Sequence, residues 1–523
     1  MPQTFAALDA LYPLPAAELH HQWVLTHNAE HVPVGWRRES LAGWHLGMHP
    51  TTRWCRLEAR DGAALGWLLA PLVYLGRNGA VEFPDAVLVL PVVGTATADE
   101  IGGVLYGRDE AGHSDGSGVY GSWTAILLGE PGEDAAARQR VFLGPTHSVV
   151  FDRAHRVVAA TPNLMPELRR HEALSDAFDP LETNRHFCLG LTAFEGVERL
   201  LPNHCLDLET FTPQRHWPVE VESLASGEEG AARVVEQGRR LVEALATRHD
   251  QFHVFLSAGR DSRAVLALAR PLRERACSLT VSTGYGEDLA SRIDLHAARR
   301  LARLARLPHV ANKRIPPSGG DRLRAFVLIG EARAGKVLSW PRHKPPDWLS
   351  ERFKLSGMAG ETGRAYYWAE DPPPAGELSA ETLLRRLKVP RRPETLTAAE
   401  EWLETLPAAV RASATLSLDL AYVEHRLGCW EAPIRYRSAT AGPPMVFSPM
   451  ASAVCLETML RLPESYRASG RLQHDMVAYG WPELLRVPFN ELVGRLRFEE
   501  SVRRVGGKAL NFSRRVTRKL LRH

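Results

Sequence analysis

Short apolar runs, separated by glycine, proline and charged residues, dominate roughly the first 218 positions of the chain. Runs of this length with such punctuation are typical of β-strands rather than helices. The pattern predicts a largely β half packed by a few helices, with Asp152-Arg153 as a turn between its last two strands. The predicted strands cover residues 67–69, 72–75, 86–90, 124–128, 140–143 and 156–159.

The periodicity changes near residue 220, where apolar positions begin to recur at helical spacing. Residues 228–248 form the first predicted helix, and short strands and further helices then alternate. Strand, helix, strand, helix, strand in succession indicates a parallel sheet with crossover helices. The predicted strands are 252–256, 278–282 and 309–311, and the predicted helices between them are 263–269 and 289–307.

A proline-rich break at residues 371–376 precedes a helical remainder, in which residues 398–406 and 416–427 are two predicted helices. From Arg486 onward the chain carries eleven lysine and arginine residues against three acids. We interpret this basic tail as a solvated helix face, with attraction to RNA or an anionic lipid surface as the alternative.

Composition narrows the class of protein without indicating a function. The 523 residues are 45% apolar and 24% charged, as in folded soluble proteins. The net charge of +3 gives no reason to expect nucleic-acid binding. Six scattered cysteines without a CxxC pair argue against a zinc ribbon or a thioredoxin-type site. The first residues do not resemble a signal peptide, and the longest apolar run, Ala64 to Gly76, is too short for a transmembrane segment, so we expect a cytoplasmic protein.

The segment with the clearest chemistry is Ser257-Ala258-Gly259-Arg260-Asp261-Ser262, which follows the strand predicted at 252–256. Small residues let backbone N–H groups approach an anion, and the start of the next helix adds unpaired N–H groups and a positive dipole end. This pattern predicts a phosphate cradle. Asp261 would be repelled by a bare phosphate in this cradle, but it is favourable beside Mg²⁺. The loop must also lie at the carboxyl end of a parallel strand, which is where parallel sheets bind ligands.

This segment resembles the PP-loop motif of N-type ATP pyrophosphatases, and four further segments resemble the asparagine synthetase superfamily in the same order. The first of these is the helix with Asp294-Leu295-His296-Ala297-Ala298, followed by Leu304 to His309. Another is Leu355-Ser356-Gly357-Met358-Ala359-Gly360-Glu361, which is similar to that family's second magnesium loop. The remaining ones are Ser448-Pro449-Met450 with Pro482 to Pro488 in the C-terminal part, and Phe194 to His204 at the close of the N-terminal domain.

The resemblance implies an α/β fold in two domains. Residues 1–218 would form a mostly β, degenerate glutaminase-like domain of the N-terminal nucleophile type. Residues 219–523 would form a parallel-sheet PP-loop synthetase domain, similar to the adenine nucleotide alpha-hydrolases, with a helical C-terminal part.

The same resemblance implies an AMP-forming carbon–nitrogen ligase. ATP would adenylate a substrate carboxylate with release of pyrophosphate, and an amine would then form an amide. Asp261 and Glu361 would hold Mg²⁺, and Ser257 and Ser262 would hydrogen-bond phosphate oxygens. The rest of the implied ATP site is Leu256, Ala258, Gly259, Arg260, Ser282 and Gly357. Substrates would be small-molecule or peptide carboxylates and amines.

The chain departs from that family's pattern at several positions. Glu361 stands where the family has Asp, and the lysine that relatives place before their C-terminal turn is missing, with Arg471 as the nearest substitute. Pro2 follows the first methionine where glutamine-using relatives have a cysteine, and the first cysteine is Cys55. We therefore expect no glutaminase activity and a substrate amine as the nucleophile.

Three other motifs match short patterns but lack their structural context. His27 to His31 fits a zinc-protease pattern, but Pro33 follows at once and shortens any supporting helix. Gly112 to Gly116 fits the Gly-x-Ser-x-Gly hydrolase pattern but precedes a predicted strand rather than a helix, which favours a loop. Gly284-Tyr285-Gly286 lacks the third glycine of a dinucleotide fingerprint.

Two alternatives to the ligase remain open from the sequence. The altered motifs fit a catalytically degenerate nucleotide-binding or regulatory protein of the same fold. A PP-loop enzyme acting on tRNA is a third class, against which the modest net charge and the missing CxxC pairs count. The substrate and the oligomeric state do not follow from the sequence.

Overall fold

A computed structural model of the chain describes residues 7–12, 14–109, 112–129, 139–171, 174, 186–218, 222–275, 277–313, 319–332, 352–437 and 446–491. It is a mixed α/β structure, with two largely antiparallel sheets before residue 218 and a parallel five-stranded sheet after residue 250. No helix in the described part of the chain is both long and apolar enough to cross a membrane.

The described residues of the first half include two sheets and an α-helix. A six-stranded antiparallel sheet has the order β12-β10-β11-β1-β3-β2, and an eight-stranded sheet has the order β14-β13-β9-β8-β5-β4-β7, with β6 on β5. The helix α1 (Ala98–Tyr106) begins with a capping box between Thr97 and Glu100. The strands are β1 (Trp23–Thr26), β2 (Arg37–Leu41), β3 (Trp44–Met48), β4 (Trp54–Ala59), β5 (Ala64–Leu75), β6 (Val81–Glu82), β7 (Val87–Leu90), β8 (Gly118–Leu127), β9 (Arg140–Leu143), β10 (Val149–Asp152), β11 (Val157–Ala159), β12 (Val197–Leu200), β13 (His204–Asp207) and β14 (Pro213–Arg215).

Large apolar side chains from both sheets form a shared core. Trp23 and Trp44 from the first sheet and Trp67 from the second are almost fully buried in one cluster. Burial of several side chains of this size contributes on the order of 2 kcal/mol each to the association of the sheets. The turn expected at Asp152-Arg153 is present, because β10 ends at Asp152 and β11 begins at Val157.

Two strands expected at 67–69 and 72–75 are one strand, β5, which runs over twelve residues. Its pairing with β8 shifts register on either side of Pro71. Ala70 at the shift has φ of +53°, in the left-handed region. A bulge lets a strand pass through a proline without ending, because the displaced residue needs no ladder partner.

The second half contains a parallel sheet of order β17-β16-β15-β18-β19. Its strands are β15 (Gln251–Phe255), β16 (Ser278–Tyr285), β17 (His309–Lys313), β18 (Phe353–Leu355) and β19 (Val446–Phe447). The helices that precede or connect these strands are α2 (Gly227–Leu245), α3 (Arg260–Leu268), α4 (Arg270–Glu274), α5 (Leu289–Ala305) and α6 (Gly319–Leu328). The predicted alternation of strands and helices is confirmed, with β16 three residues longer than expected and α3 starting at Arg260 rather than Arg263.

Helices predominate in the chain after β18. They are α7 (Ala380–Leu387), α8 (Pro393–Glu404), α9 (Ala408–Arg411), α10 (Ala414–Ala421), α11 (Ala453–Leu460), α12 (Glu464–Ser469) and α13 (Leu472–Gly480). The helix expected at 416–427 is α10 continued by a π-helix, Tyr422–Glu431, and then a 3₁₀ helix, Ala432–Arg437. The one expected at 398–406 is α8, which starts earlier because Pro393 occupies its first turn.

A buried ion pair joins the two halves of the described chain. Arg215 on β14 donates through both terminal nitrogens to Glu424 of the π-helix, 2.9 Å at Oε2. Trp402 donates to the same carboxylate at 2.7 Å and Asn203 at 3.0 Å. Burial alone would raise the pKa of Glu424, but Arg215, with smaller contributions from His204 and Asn203, lowers it to about 2.

Candidate functional site

The turn between β15 and α3 gathers oxygen atoms around consecutive backbone N–H groups. Ser257 N–H donates to Ser262 Oγ at 3.1 Å, Gly259 N–H to Ser257 Oγ at 3.0 Å, and the two hydroxyl oxygens are 2.9 Å apart. Ala258 N–H donates to Asp294 Oδ1 of α5 at 2.9 Å. Gly259 caps α3 without a side chain, so the helix start is open toward a ligand.

A second loop, after β18, lies directly against this turn. A Cβ built on Gly357 would come 2.8 Å from the carbonyl carbon of Asp261, and one on Gly360 would come 2.5 Å from its Oδ1. Any larger residue at these two positions would push the loops apart. The parallel pairing of β15 with β18 brings both loops to the same edge of the sheet, where its strands end.

Asp261 and Glu361, the two acids predicted to hold a metal ion, both lie beside the guanidinium of Arg364. Arg364 Nη2 lies 3.6 Å from Asp261 Oδ2 and contacts Glu361 Oε1 directly. Glu361 also accepts from the Tyr422 hydroxyl at 2.9 Å, and Asp261 accepts from the Gln473 amide at 2.9 Å. Burial raises the pKa of Asp261 from its ordinary 3.8 to about 6, against the opposing effect of Arg364.

A cavity of about 320 Å³ opens where the two loops meet. Its wall carries two carboxylates, Asp261 and, at the end of the π-helix, Glu431, whereas Glu361 lies beside the cavity without lining it. A space of this size, with hydroxyls, acids and a helix start on its walls, can admit a phosphorylated small molecule. The lining residues are Ser257, Gly259, Asp261, Ser262, Ser356, Gly357, Met358 and Glu431.

Several sequence-predicted ATP-site residues lie beside the cavity without lining it. Leu256 and Ala258 are almost fully buried beneath the turn. Arg260 donates to the Gly470 carbonyl at 2.7 Å, so its guanidinium is held by the chain itself. Ser282 pairs with Phe255 across the strands, its hydroxyl lies 2.9 Å from His253 Nε2, and its carbonyl accepts from Leu256 N–H at 2.8 Å, so both groups are engaged within the sheet.

Arg471 does not reach the cavity. Its guanidinium pairs with Glu228 at 3.5 Å and Asp475 at 3.3 Å, and about half of the side chain is exposed. The cation next to both acids is Arg364 instead. Arg471 was assigned to the site from its position in the sequence. In the structure, helix α13 begins at Leu472, which turns Arg471 outward and Gln473 inward.

Four residues at the site were missed from the sequence, namely Arg364, Tyr422, Glu431 and Gln473. Arg364 lies three residues after Glu361, and Gln473 lies two residues after Arg471, so the departures from the family's pattern at Glu361 and at the missing lysine were the available signal. Tyr422 and Glu431 are the first and last residues of the π-helix. No local pattern in the sequence of its ten residues predicts that geometry.

The motifs set aside from the sequence lack the geometry of active sites. Residues Ala29–His31 form a single 3₁₀ turn, and His27 Nδ1 lies 3.0 Å from the Gly43 carbonyl oxygen. Ser114 lies in a loop before β8, with no helix after it. Within the described ranges, no three or more His, Cys, Asp or Glu side chains gather as metal ligands.

Five of the six cysteine thiols are buried, which places them poorly for nucleophilic chemistry. Cys55 is fully buried on β4, and this burial raises its pKa to about 12. Burial also raises the pKa of Cys205 to about 11 and that of Cys455 to about 12. A thiol in this state carries almost no thiolate at neutral pH.

Fold and site together define a mixed α/β chain with a ligand-sized cavity at the carboxyl edge of a parallel sheet. Comparison with models of known protein families finds no match to the chain, and no curated protein matches it either. The function is therefore argued from the site itself.

Proposed function

We propose that the chain is an ATP-dependent, AMP-forming amide ligase of the asparagine synthetase type, with a PP-loop synthetase half and a degenerate glutaminase-like half. It would adenylate a substrate carboxylate, release pyrophosphate, and pass the acyl group to an amine without hydrolysing glutamine. The observation that carries this proposal is the joining of two loops, at Ser257–Ser262 and at Gly357–Glu361, around one cavity. Five motifs in family order support the same function.

The serine-rich turn suits the triphosphate. Its N–H groups already point at side-chain oxygens, which occupy positions that phosphate oxygens would take. Ser257 and Ser262 would turn their hydroxyls toward the phosphates as donors. The backbone of Leu256 and Ser282, on adjacent strands, would line the adenine. Fixed N–H dipoles stabilise the charge that develops on departing pyrophosphate.

The acids suit Mg²⁺. Asp261 and Glu361 offer oxygen ligands only, and Arg364 between them marks the place where positive charge is favoured. Magnesium commonly takes one or two protein carboxylates and completes its shell with phosphate and water oxygens. When bound, the ion would supply positive charge to the phosphates. Gln473 and Tyr422 would hold the two carboxylates in place.

Arg364 takes the role that the sequence pattern gave to Arg471. Its guanidinium, which lies beside Asp261 and Glu361, would donate two N–H groups to a phosphate of the bound nucleotide. Glu431 lines the same cavity and is placed to accept a proton from the attacking amine. Asp261, Glu361 and Arg364 are thus the central groups of the proposed chemistry.

The proposal excludes glutamine as the nitrogen source. Cys55, the first cysteine, is buried with a raised pKa, and Pro2 lies outside the described residues. An amine on a small molecule or peptide would then be the nucleophile.

The competing candidate is a nucleotide-binding protein without catalysis. It is favoured by Arg364, which already satisfies both acids and so competes with a metal ion. The two candidates differ in whether pyrophosphate is ever released.

Exchange of labelled pyrophosphate into ATP, over a panel of carboxylic acids, tests the proposal without requiring the amine. We expect Mg²⁺- and carboxylate-dependent exchange by the wild type, and a loss of about a hundredfold or more in Asp261→Ala. Asp99→Ala is the control, since Asp99 is an exposed acid in the first turn of α1 as Asp261 is in that of α3. Exchange that persists in Asp261→Ala would contradict the mechanism, and ATP binding without exchange would favour the competing candidate.

A further inference from the structure

A second, smaller cavity lies in the first half of the chain, away from the proposed nucleotide site. It has a volume of about 40 Å³ and is lined by His21, Trp23, Arg53, Pro71, His147 and Arg435, among others. Strand β1, the bulge of β5 and the connection after β9 form its walls. Arg435 comes from the 3₁₀ helix Ala432–Arg437 of the second half, which begins one residue after Glu431.

Arg435 is a partly buried cation that has no acidic partner among the described residues. Its Nη1 donates to the Ser122 carbonyl at 2.8 Å and lies 3.0 Å from His147 Nδ1. In the part of the chain that the structure describes, no carboxylate lies within ion-pair distance of this guanidinium. Burial lowers the pKa of Arg435. A partly buried guanidinium that lines a cavity and has no counter-charge among the described residues favours a bound anion there.

Two other basic groups on the cavity wall, His147 and Arg53, are less suited to bind that anion. Burial holds the pKa of His147 well below its ordinary value, so its ring is neutral at pH 7, with Nε2 2.8 Å from the Tyr436 hydroxyl. Arg53 lies 3.7 Å from Asp85, an acid that it shares with Arg248. Arg435 is therefore the one cation on this wall that we find uncompensated among the described residues.

The wall opposite is shaped by the irregularity in β5. Ala70 holds a left-handed backbone, φ +53°, and Pro71 beside it breaks the pairing with β8. A non-glycine residue in this region is strained by about 1 kcal/mol or more, and such strain and bulges concentrate at binding sites. Both residues line the cavity.

We propose that this cavity binds the carboxylate group of a small organic acid or peptide end, held by the guanidinium of Arg435. Its volume corresponds to about three water-sized spheres, which matches the three heavy atoms of a carboxylate group. The planar, forked guanidinium is the donor best suited to a carboxylate. This site is separate from the proposed ATP site and does not depend on the ligase assignment.

Sodium acetate, exchanged for sodium chloride at constant ionic strength, is the probe, with acetamide as its uncharged equivalent. Binding is followed by the thermal midpoint and by saturation transfer to the acetate methyl group. For so small a ligand we expect half-saturation on the order of 1 mM in the wild type. Arg435→Gln should weaken acetate binding by about tenfold or more, since one charged hydrogen-bond partner is lost. Arg153→Gln, at an exposed pair with Glu198, should leave it unchanged.

If Arg435→Gln does not fold, Arg435→Lys keeps the charge and loses the fork, and it should also weaken acetate binding by about tenfold. The proposal is overturned if the wild type shows no saturable acetate response, if acetamide binds as tightly as acetate, or if chloride competes so well that the exchange has no effect. Undiminished acetate binding by Arg435→Gln or Arg435→Lys would overturn it too.

Discussion

The Gln473 amide donates to the Asp261 carboxylate at 2.9 Å, across 212 residues of sequence. The same nitrogen donates to the Gly360 carbonyl at 2.6 Å, so one buried side chain joins the α3 turn, the loop after β18 and α13. This junction fixes the orientation of the acid on which the proposed magnesium site depends. The protonation of Asp261 is the property of the site that measurements of stability and ligand binding test in the predictions below.

The pKa of Asp261 predicts a stability change with pH. A carboxyl whose folded pKa, about 6, exceeds its ordinary 3.8 stabilises the fold below pH 4, and this contribution is lost as the pH rises through 6. Asp261→Asn should therefore be more stable than the wild type at pH 8 by about 2 kcal/mol and nearly equal to it at pH 4. Urea unfolding at both pH values measures this. The exposed Asp99→Asn should show no such difference, and a wild-type advantage at pH 8 would contradict the assignment.

The amide of Gln473 lowers the pKa of the Asp261 carboxyl through its hydrogen bond. Loss of a hydrogen bond to the ionised form raises a pKa, so Gln473→Met should move the pH midpoint of Mg²⁺–ATP binding upward by about one unit. Calorimetric titration between pH 5 and 8 gives the midpoint. Gln237→Met is the control, because Gln237 donates to Tyr120 at 2.9 Å, outside the cavity, and should leave the midpoint in place. An unchanged midpoint in Gln473→Met would contradict the role given to the amide.

Our proposal gives the catalytic guanidinium to Arg364 and only surface ion pairs to Arg471. Arg364→Gln should lower pyrophosphate exchange by about 10² or more, since a charge next to the reacting phosphates is lost. Arg471→Gln removes only partly exposed pairs with Glu228 and Asp475 and should change the rate less than about twofold. The reverse order of effects would return the role to Arg471.

The Arg215–Glu424 pair should contribute to stability as a buried ion pair does. Glu424→Gln leaves the Arg215 guanidinium buried without a counter-charge and should lower the free energy of unfolding by about 3 kcal/mol. Glu198→Gln breaks an exposed pair with Arg153 and should cost less than about 1 kcal/mol. Equal losses in the two variants, measured by urea unfolding, would show that burial does not govern the Arg215–Glu424 pair.

Local features were the ones that the sequence could predict. The turn at Ser257–Ser262 and the alternation of strands and helices follow from small residues and apolar periodicity, both of which are local. Gln473 and Tyr422 reach the site only through contacts that span 212 and 61 residues, and no local pattern encodes them. Likewise, the pattern divides β5 into two strands because nothing in the sequence shows that Ala70 adopts a left-handed backbone.

The central claim is that the cavity between the two loops binds ATP with Mg²⁺ through Asp261. Calorimetric titration of ATP into the wild type, Asp261→Ala and Asp99→Ala, each with and without Mg²⁺ and each shown to be folded, tests it most directly. We predict magnesium-dependent binding by the wild type and by Asp99→Ala, and its loss in Asp261→Ala. Binding that is equally tight in Asp261→Ala, or no binding by the folded wild type, would contradict the account.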